Sequence, residues 1–227
     1  MKTVAIILAA GGGARFGADR PKQFAMALGK PVLWHTLAAF QSASSIDDIV
    51  LVVPQEELEY AREAFLSNSP LDKIGKVIAG GSTRSDSARL GLAAIPISTE
   101  IIAIHDGARP TVAPSDINRV VKTARAERAA ILASPVTSTL KRAAAKYIIN
   151  TVEREGLFLA ETPQAFRADL IREAYQKLGE DSLPTDDAQL VEALGFKVCI
   201  VESEFLNIKV TTKEDIALVE AILKARK

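Results

Sequence analysis

The chain is poor in cysteine, histidine and aromatic residues. Among 227 residues there are one cysteine, two histidines and 5% aromatic residues. A single cysteine excludes an internal disulfide and indicates a cytosolic compartment. Cys199 lies in the apolar run 198–201, which favours a core residue over a nucleophile.

An excess of charge and a long hydrophobic run are also missing. Lysine plus arginine equal aspartate plus glutamate at 28 each, so no overall field favours nucleic acid or an anionic membrane. No stretch approaches the roughly 20 apolar residues of a membrane span. With 48% apolar residues, the sequence predicts one globular domain over residues 1–227, whose positive charge must be concentrated locally to bind a phosphorylated ligand.

Short β-branched runs alternate with amphipathic segments along the chain. This alternation predicts an α/β, Rossmann-like three-layer fold with a mostly parallel sheet. The predicted strands are residues 3–8, 49–53, 76–78, 101–104, 130–136 and 197–201. Ser82 is expected to cap a helix that begins at Arg84.

Residues 137–164 break the alternation. Two extended runs flank Glu155-Gly156, which predicts an antiparallel hairpin about that turn. A hairpin outside a parallel sheet must bury its apolar side elsewhere, on its own domain or on a second copy of the chain. The sequence favours a protruding dimerisation arm, and therefore a homodimer.

A glycine-rich stretch follows the first predicted strand. Gly11, Gly12 and Gly13 can turn backbone N–H groups toward an anion, and Arg15 and Lys22 add positive charge. A dinucleotide fingerprint would need a third glycine where Phe16 stands, and a P-loop would need lysine and serine or threonine after Gly17. The stretch, with Pro21-Lys22, resembles the N-terminal signature of nucleotidyltransferases that make nucleoside-diphosphate sugars and alcohols.

Other polar residues follow further predicted strands, and ligands of open α/β sheets bind beyond the carboxyl ends of the strands. Gly80, Gly81 and Arg84 follow the third strand, and Asp106 and Arg109 follow the fourth. Asp106 is a candidate Mg²⁺ ligand because Mg²⁺ takes few protein oxygens and fills its remaining positions with phosphate and water. His105 has no cysteine or histidine at metal-ligand spacing, so we interpret it as structural.

Four further motifs occur in order along the chain. They are His-Asp-Gly-Ala-Arg-Pro at 105–110, Thr-Pro-Gln at 162–164, Thr-Asp-Asp-Ala at 185–188 and Asn-Ile-Lys-Val-Thr at 207–211. Together they resemble the signatures of the 2-C-methyl-D-erythritol 4-phosphate cytidylyltransferase family of the non-mevalonate isoprenoid pathway. The resemblance implies transfer of the cytidylyl group of CTP to that sugar-alcohol phosphate, with release of pyrophosphate and help from Mg²⁺.

The resemblance also implies roles for individual residues. The implied catalytic residues are Arg15 and Lys22 on the triphosphate, and Arg154 and Lys209 on the methylerythritol phosphate. The implied nucleotide contacts are Ala10, Gly11, Gly13, Gly80, Ser87, Asp106 and Gly107. The implied alcohol-phosphate contacts are Arg109, Thr139, Thr162 and Thr185, with Asp106 also at the metal. The chemistry agrees, because a phosphate nucleophile is already ionised at neutral pH and needs no general base.

Other functions stay open on the sequence alone. A ribitol 5-phosphate cytidylyltransferase shares several motifs, but the segment 185–188 favours the methylerythritol enzyme. A nucleotide-sensing regulator without turnover would be expected to lack Lys22, Arg154 or Lys209, all of which are present. An oxidoreductase is disfavoured by the failed dinucleotide fingerprint.

Overall fold

The computed structural model describes residues 2–11, 21–67, 69–179 and 184–226. The strands are β1 (Thr3–Leu8), β2 (Met26–Ala27), β3 (Lys30–Pro31), β4 (Asp48–Val53), β5 (Ile74–Ala79), β6 (Ile101–Asp106), β7 (Ala129–Pro135), β8 (Leu140–Ala144), β9 (Tyr147–Val152), β10 (Phe158–Arg167) and β11 (Cys199–Glu202). The helices are α1 (Val32–Ser42), α2 (Leu58–Ala61), α3 (Arg84–Ala94), α4 (Pro114–Glu127), α5 (Ala168–Gln176), α6 (Ala188–Ala193) and α7 (Glu214–Ala225). Short 3₁₀ turns cover Lys22–Phe24 and Gln55–Glu57, and a π-helical segment covers Arg62–Ser67.

Seven strands form the central sheet in the order β11-β7-β10-β6-β1-β4-β5. All neighbouring pairs are parallel except those of β10, which is antiparallel to β6 and β7. The predicted α/β class and mostly parallel sheet are confirmed, and each predicted strand lies within about two residues of an observed one. Strand β1 shows why such strands can be predicted from the sequence. All of its residues are buried, and a strand that is covered on both faces is a continuous apolar run.

Helices cover both faces of the sheet. Alternate residues of β1 point into two separate apolar clusters: Ala5 and Ile7 pack with residues of α1 and α4, and Val4 and Ile6 pack with residues of α3, α5 and α6. This arrangement is the predicted three-layer fold. No helix in the described part of the chain is long and apolar enough to cross a membrane.

The pairing predicted for residues 137–164 is wrong in detail. Strand β9 pairs with β8 rather than across Glu155-Gly156, and the turn between them contains Ala145, which has a positive φ of 48°. Strand β10 leaves this region and enters the central sheet, where it pairs with both β7 and β6. The hairpin arm is therefore the two-stranded sheet β8–β9, and the segment after Gly156 belongs largely to the central sheet.

Candidate active site

The first cavity lies at the carboxyl ends of β1, β5 and β6 and has a volume of about 250 Å³. Its lining residues are Leu8, Ala9, Ala10, Gly11, Lys22, Gln23, Gly81, Ser82, Thr83, Arg84, Ser87, Asp106, Ala108 and Lys209. Buried Gln23 donates hydrogen bonds to the carbonyls of Ala9 and Gly11, which fixes the start of the glycine stretch against the turn that carries Lys22. Lys22 and Gly11 thus line the same cavity.

The loop between β5 and α3 forms one wall of this cavity. Thr83, rather than the expected Ser82, caps α3 through a reciprocal capping box with Asp86. Buried Ser87 donates to the Thr83 carbonyl at 3.0 Å and accepts from the Gly81 N–H at 3.1 Å. A Cβ on Gly80 would lie 2.3 Å from the Cβ of Ala10, so only glycine lets this loop approach the first strand so closely.

Three cationic side chains surround the carboxylate of Asp106. Arg84 Nε lies 3.2 Å from Oδ1, and Lys209 Nζ and Arg109 Nε lie 2.6 and 3.8 Å from Oδ2. Burial alone would raise the pKa of Asp106, but the three cations outweigh it and hold that pKa well below its usual range. Asp106 is therefore ionised at neutral pH.

Arg84 joins this group to a second carboxylate. Its Nη2 donates to Asp187 Oδ2 at 2.8 Å. Burial would lower the pKa of Arg84, but Asp187 and Asp106 raise it above its ordinary value. Arg84 therefore keeps its charge although it is largely enclosed.

A second cavity of about 230 Å³ lies on the other side of this group. It is lined by Arg84, Asp106, Arg109, Ala160, Glu161, Thr162, Gln164, Thr185, Asp186 and Lys209. Arg84, Asp106 and Lys209 line both cavities, so they form a shared wall between them. A group in one cavity would meet a group in the other across these three side chains.

His105 is structural, as predicted. Its Nε2 lies 3.3 Å from the Arg109 carbonyl, which only accepts, so Nε2 carries the proton and Nδ1 accepts from the Thr162 hydroxyl at 3.0 Å. Burial lowers the pKa of His105 to about 3. The same Thr162 hydroxyl accepts from the Asp106 N–H at 3.1 Å, so neutral His105 orients Thr162 beneath Asp106.

The motifs at 162–164, 185–188 and 207–211 contact one another. Gln164 accepts from the N–H groups of Asp187 and Ala188 at 3.0 and 2.9 Å, and it donates to Asp186 at 2.9 Å. Asn207 donates to the Thr162 carbonyl at 2.7 Å. Segments distant in sequence are thereby fixed around the second cavity.

The two cavities bring together most of the predicted site residues. Lys22, Ala10, Gly11 and Ser87 line the first, Arg109, Thr162 and Thr185 line the second, and Asp106 and Lys209 line both. Gly80 packs against Ala10 and Ser87, and Gly107 lies behind the first cavity, where its N–H donates to the Leu8 carbonyl at 2.7 Å. Arg15 and Gly13 lie outside the described residues.

Two predicted site residues lie apart from both cavities. Thr139 is exposed and precedes β8. Arg154 is exposed, follows β9, and donates to the Thr137 carbonyl of its own chain. Neither residue lines the first or the second cavity.

Sequence reasoning did not assign site roles to Arg84, Gln23 or Asp187. Arg84 follows the third predicted strand, but its partner Asp187 is 103 residues away along the chain. Gln23 directly follows Lys22, and that adjacency to the glycine stretch was the available signal.

Asp106 fits a metal site that uses a single protein carboxylate. Within the described residues, no three histidine, cysteine, aspartate or glutamate side chains are grouped as metal ligands. Asp106, ionised and open to both cavities, suits a cation that takes one protein carboxylate and completes its shell with phosphate oxygens and water.

Several known proteins with similar sequences and structures share one activity. The family model of 2-C-methyl-D-erythritol 4-phosphate cytidylyltransferase matches residues 3–225. The enzymes of that name from Geotalea uraniireducens and Pelotomaculum thermopropionicum are 43% and 42% identical, each over 99% of this chain and over 98% and 95% of their own lengths. The crystal structure of 4-diphosphocytidyl-2C-methyl-D-erythritol synthase from Anaerococcus prevotii aligns with a TM-score of 0.85 at 32% identity, over 98% of both chains.

The fold, the two joined cavities and these similarities define an enzyme of the nucleotidyltransferase class. Within that class, the chain belongs to the 2-C-methyl-D-erythritol 4-phosphate cytidylyltransferase family. The family predicted from the four ordered motifs is thereby confirmed, and the ribitol alternative is not supported.

Proposed function

We propose that the first cavity binds CTP, the second binds 2-C-methyl-D-erythritol 4-phosphate, and cytidylyl transfer occurs across their shared wall. The observation that carries this assignment is the position of Arg84, Asp106 and Lys209, which line both cavities. A transfer between two phosphate groups needs both substrates to meet at one charged boundary.

The reaction joins a phosphate oxygen of the alcohol phosphate to the α-phosphorus of CTP and breaks the bond from that phosphorus to the bridging oxygen. Pyrophosphate leaves with the electron pair of the broken bond. The nucleophile is ionised at neutral pH, so catalysis consists of positioning and of stabilising negative charge. Among the described residues, Lys22 and Lys209 are proposed to supply the positive charge that stabilises it. Arg15 is proposed to add to this positive charge. His105 is not a base, because it is fully buried, both of its ring nitrogens are hydrogen-bonded, and burial lowers its pKa to about 3.

Asp106 is proposed to hold Mg²⁺ together with phosphate oxygens of CTP. When bound, the ion would neutralise charge on the triphosphate. Asp106 keeps its own negative charge for that contact because Arg84, Lys209 and Arg109 stabilise its ionised form.

Pyrophosphate release tests the function directly. The purified chain is incubated with Mg²⁺, one nucleoside triphosphate and one alcohol phosphate, and CTP, ATP and GTP are each paired with methylerythritol 4-phosphate and ribitol 5-phosphate. We expect turnover with CTP and methylerythritol 4-phosphate, because the small residues Ala9, Ala10 and Gly81 line the first cavity and would let backbone lie close to a pyrimidine ring. Equal use of ATP, or preference for ribitol 5-phosphate, would contradict the assignment.

The arm β8–β9 is proposed to carry Arg154 into the active site of a second copy of the chain. Tyr147, Ile148 and Ile149 are consecutive on β9 and each is more than 60% exposed. Consecutive strand residues point to opposite faces, so both faces of this two-stranded sheet expose apolar surface. A symmetric dimer would cover that surface and explain why Arg154 lines neither cavity of its own chain.

Mixing two inactive variants tests this arrangement. Arg154→Ala and Lys22→Ala chains should regain activity when their subunits exchange, because one site of a mixed dimer then has both residues intact. Lys22→Ala mixed with Lys209→Ala is the matched control, since these two lysines line the same cavity and no intact site can form. Failure of the first mixture despite proven exchange, or an active monomer, would show that Arg154 does not act in a partner.

A further inference from the structure

Asp187 is a buried carboxylate without access to either cavity. Its side chain is fully buried, and it is absent from the linings of both cavities. A buried carboxylate is costly unless it is paired and hydrogen-bonded. Both of its oxygens are used: Oδ2 accepts from Arg84 at 2.8 Å, and Oδ1 accepts from the Tyr175 hydroxyl at 2.6 Å.

Tyr175 fixes this carboxylate from the opposite side. The tyrosine belongs to α5 and is 4% exposed. Burial and the neighbouring carboxylate raise the pKa of Tyr175, so its hydroxyl keeps the proton that it donates to Asp187. The Asp187 backbone is held as well, because its N–H donates to Gln164 at 3.0 Å. Asp187 is therefore immobilised through both side chain and backbone.

The result is a rigid placement of Arg84 on the shared wall. Arg84 Nε is committed to Asp106 and Nη2 to Asp187, so two separate carboxylates define the plane of the guanidinium. Nη1 donates to no group among the residues that the structure describes, and Arg84 lines both cavities. Nη1 is thus the terminal nitrogen that neither carboxylate occupies, on a side chain that lines both cavities.

We propose that Asp187 and Tyr175 are positioning residues that orient Arg84 so that Nη1 contacts the phosphate groups of the reacting substrates. The inference deepens the proposed function and rests on it. It also gives the second aspartate of the segment 185–188 a role, since Asp186 instead bonds Gln164 and the N–H of Gln189. Tyr175 and Asp187 touch no substrate in this arrangement and act only through Arg84.

The test is a double-mutant cycle on the full-length enzyme. Asp187→Asn, Arg84→Ala and the double variant are compared for kcat and KM by pyrophosphate release. The asparagine side chain would keep the shape of the aspartate but could not accept from both Arg84 and Tyr175. We therefore expect kcat/KM to fall about tenfold or more, mainly in kcat, because the guanidinium is misplaced at the reacting groups. In the Arg84→Ala background the same change should cost less than about twofold, since coupled residues are not additive.

Two further variants separate positioning from stability. Tyr175→Phe keeps the charge of Asp187 and should lower kcat by less than Asp187→Asn does. If Asp187→Asn does not fold, Tyr175→Phe forms a second double-mutant cycle with Arg84→Ala. Asp116→Asn is the matched control, because Asp116 is also fully buried and pairs with an arginine, Arg119, at 2.9 Å, but lines neither cavity. It should leave kcat/KM within about twofold, because Asp116 lines neither cavity, and its urea midpoint is measured beside that of Asp187→Asn.

The outcomes are distinguishable. A wild-type enzyme that releases no pyrophosphate from CTP and methylerythritol 4-phosphate would refute the proposed function. With an active wild type, equal losses from Asp187→Asn in both Arg84 backgrounds, or a folded Asp187→Asn enzyme with unchanged kcat/KM, would overturn the positioning role. If Asp187→Asn does not fold, an additive Tyr175→Phe cycle would overturn it.

Discussion

Replacing Lys209 by alanine should separate its proposed catalytic role from its contribution to stability. Its Nζ lies 2.6 Å from Asp106 Oδ2, but the lysine side chain is 40% exposed. An ion pair that is this exposed to solvent contributes at most about 1 kcal/mol to the free energy of unfolding. Asp106 also keeps Arg84 at 3.2 Å and Arg109 at 3.8 Å, so the carboxylate is not left unpaired. The expected loss is therefore about 2–4 °C in Tm for a chain of this size.

The expected loss of activity is much larger. Loss of one group that stabilises developing negative charge typically costs about 100-fold or more in kcat. Unfolding cannot produce that loss, because a protein of about 5 kcal/mol stability that loses 1 kcal/mol is still only about 0.1% unfolded. A large fall in kcat with a small fall in Tm would thus assign Lys209 to the chemistry.

Lys177→Ala is the matched control. Lys177 Nζ lies 2.7 Å from Glu173, so this substitution breaks an exposed ion pair of nearly the same length at the C-terminal end of α5, and Lys177 lines neither cavity. Both variants should show a similar small change in thermal unfolding, and only Lys209→Ala should lose pyrophosphate release. Turnover of Lys209→Ala within a few-fold of wild type would refute the proposed role.

Three further predictions follow from the site. Lys22→Ala and Arg15→Ala should each lower kcat about 100-fold or more with a much smaller change in CTP affinity, measured by turnover and calorimetry; kcat within a few-fold of wild type would argue against both roles. Gly80→Ala should raise the KM for CTP and lower Tm, because the new Cβ would meet Ala10 at 2.3 Å; an unchanged KM would show that the loop yields. The pKa of His105 is about 3 in the folded protein, against an ordinary value of 6.5. Between these two pH values the folded state therefore binds fewer protons than the unfolded state. Stability should therefore rise with pH over that window, and urea midpoints should show a shallower slope in His105→Asn.

The sequence predicted the central parallel strands β1 and β4 because each is an apolar run that is buried on both faces almost throughout. It did not predict the full extent of β10, whose buried part includes the polar residues Glu161, Thr162 and Gln164. These residues are buried because they bond Asn207, His105 and the 186–188 segment, which are distant in sequence. No local pattern encodes such partners. The hairpin was misassigned for a related reason: Gly156, with φ of 72°, is a plausible turn, but the β8–β9 turn uses Ala145.

The charges of the site show why positive side chains alone could not define it. Arg84, Arg109 and Lys209 converge on one carboxylate, and Arg84 also pairs with Asp187. Three cations without these two carboxylates would repel one another before any substrate is bound. The carboxylates hold them in place and leave this group of five side chains with one net positive charge. Preorganised charges need little rearrangement during the reaction, so the two aspartates contribute to phosphate chemistry although they repel phosphate themselves.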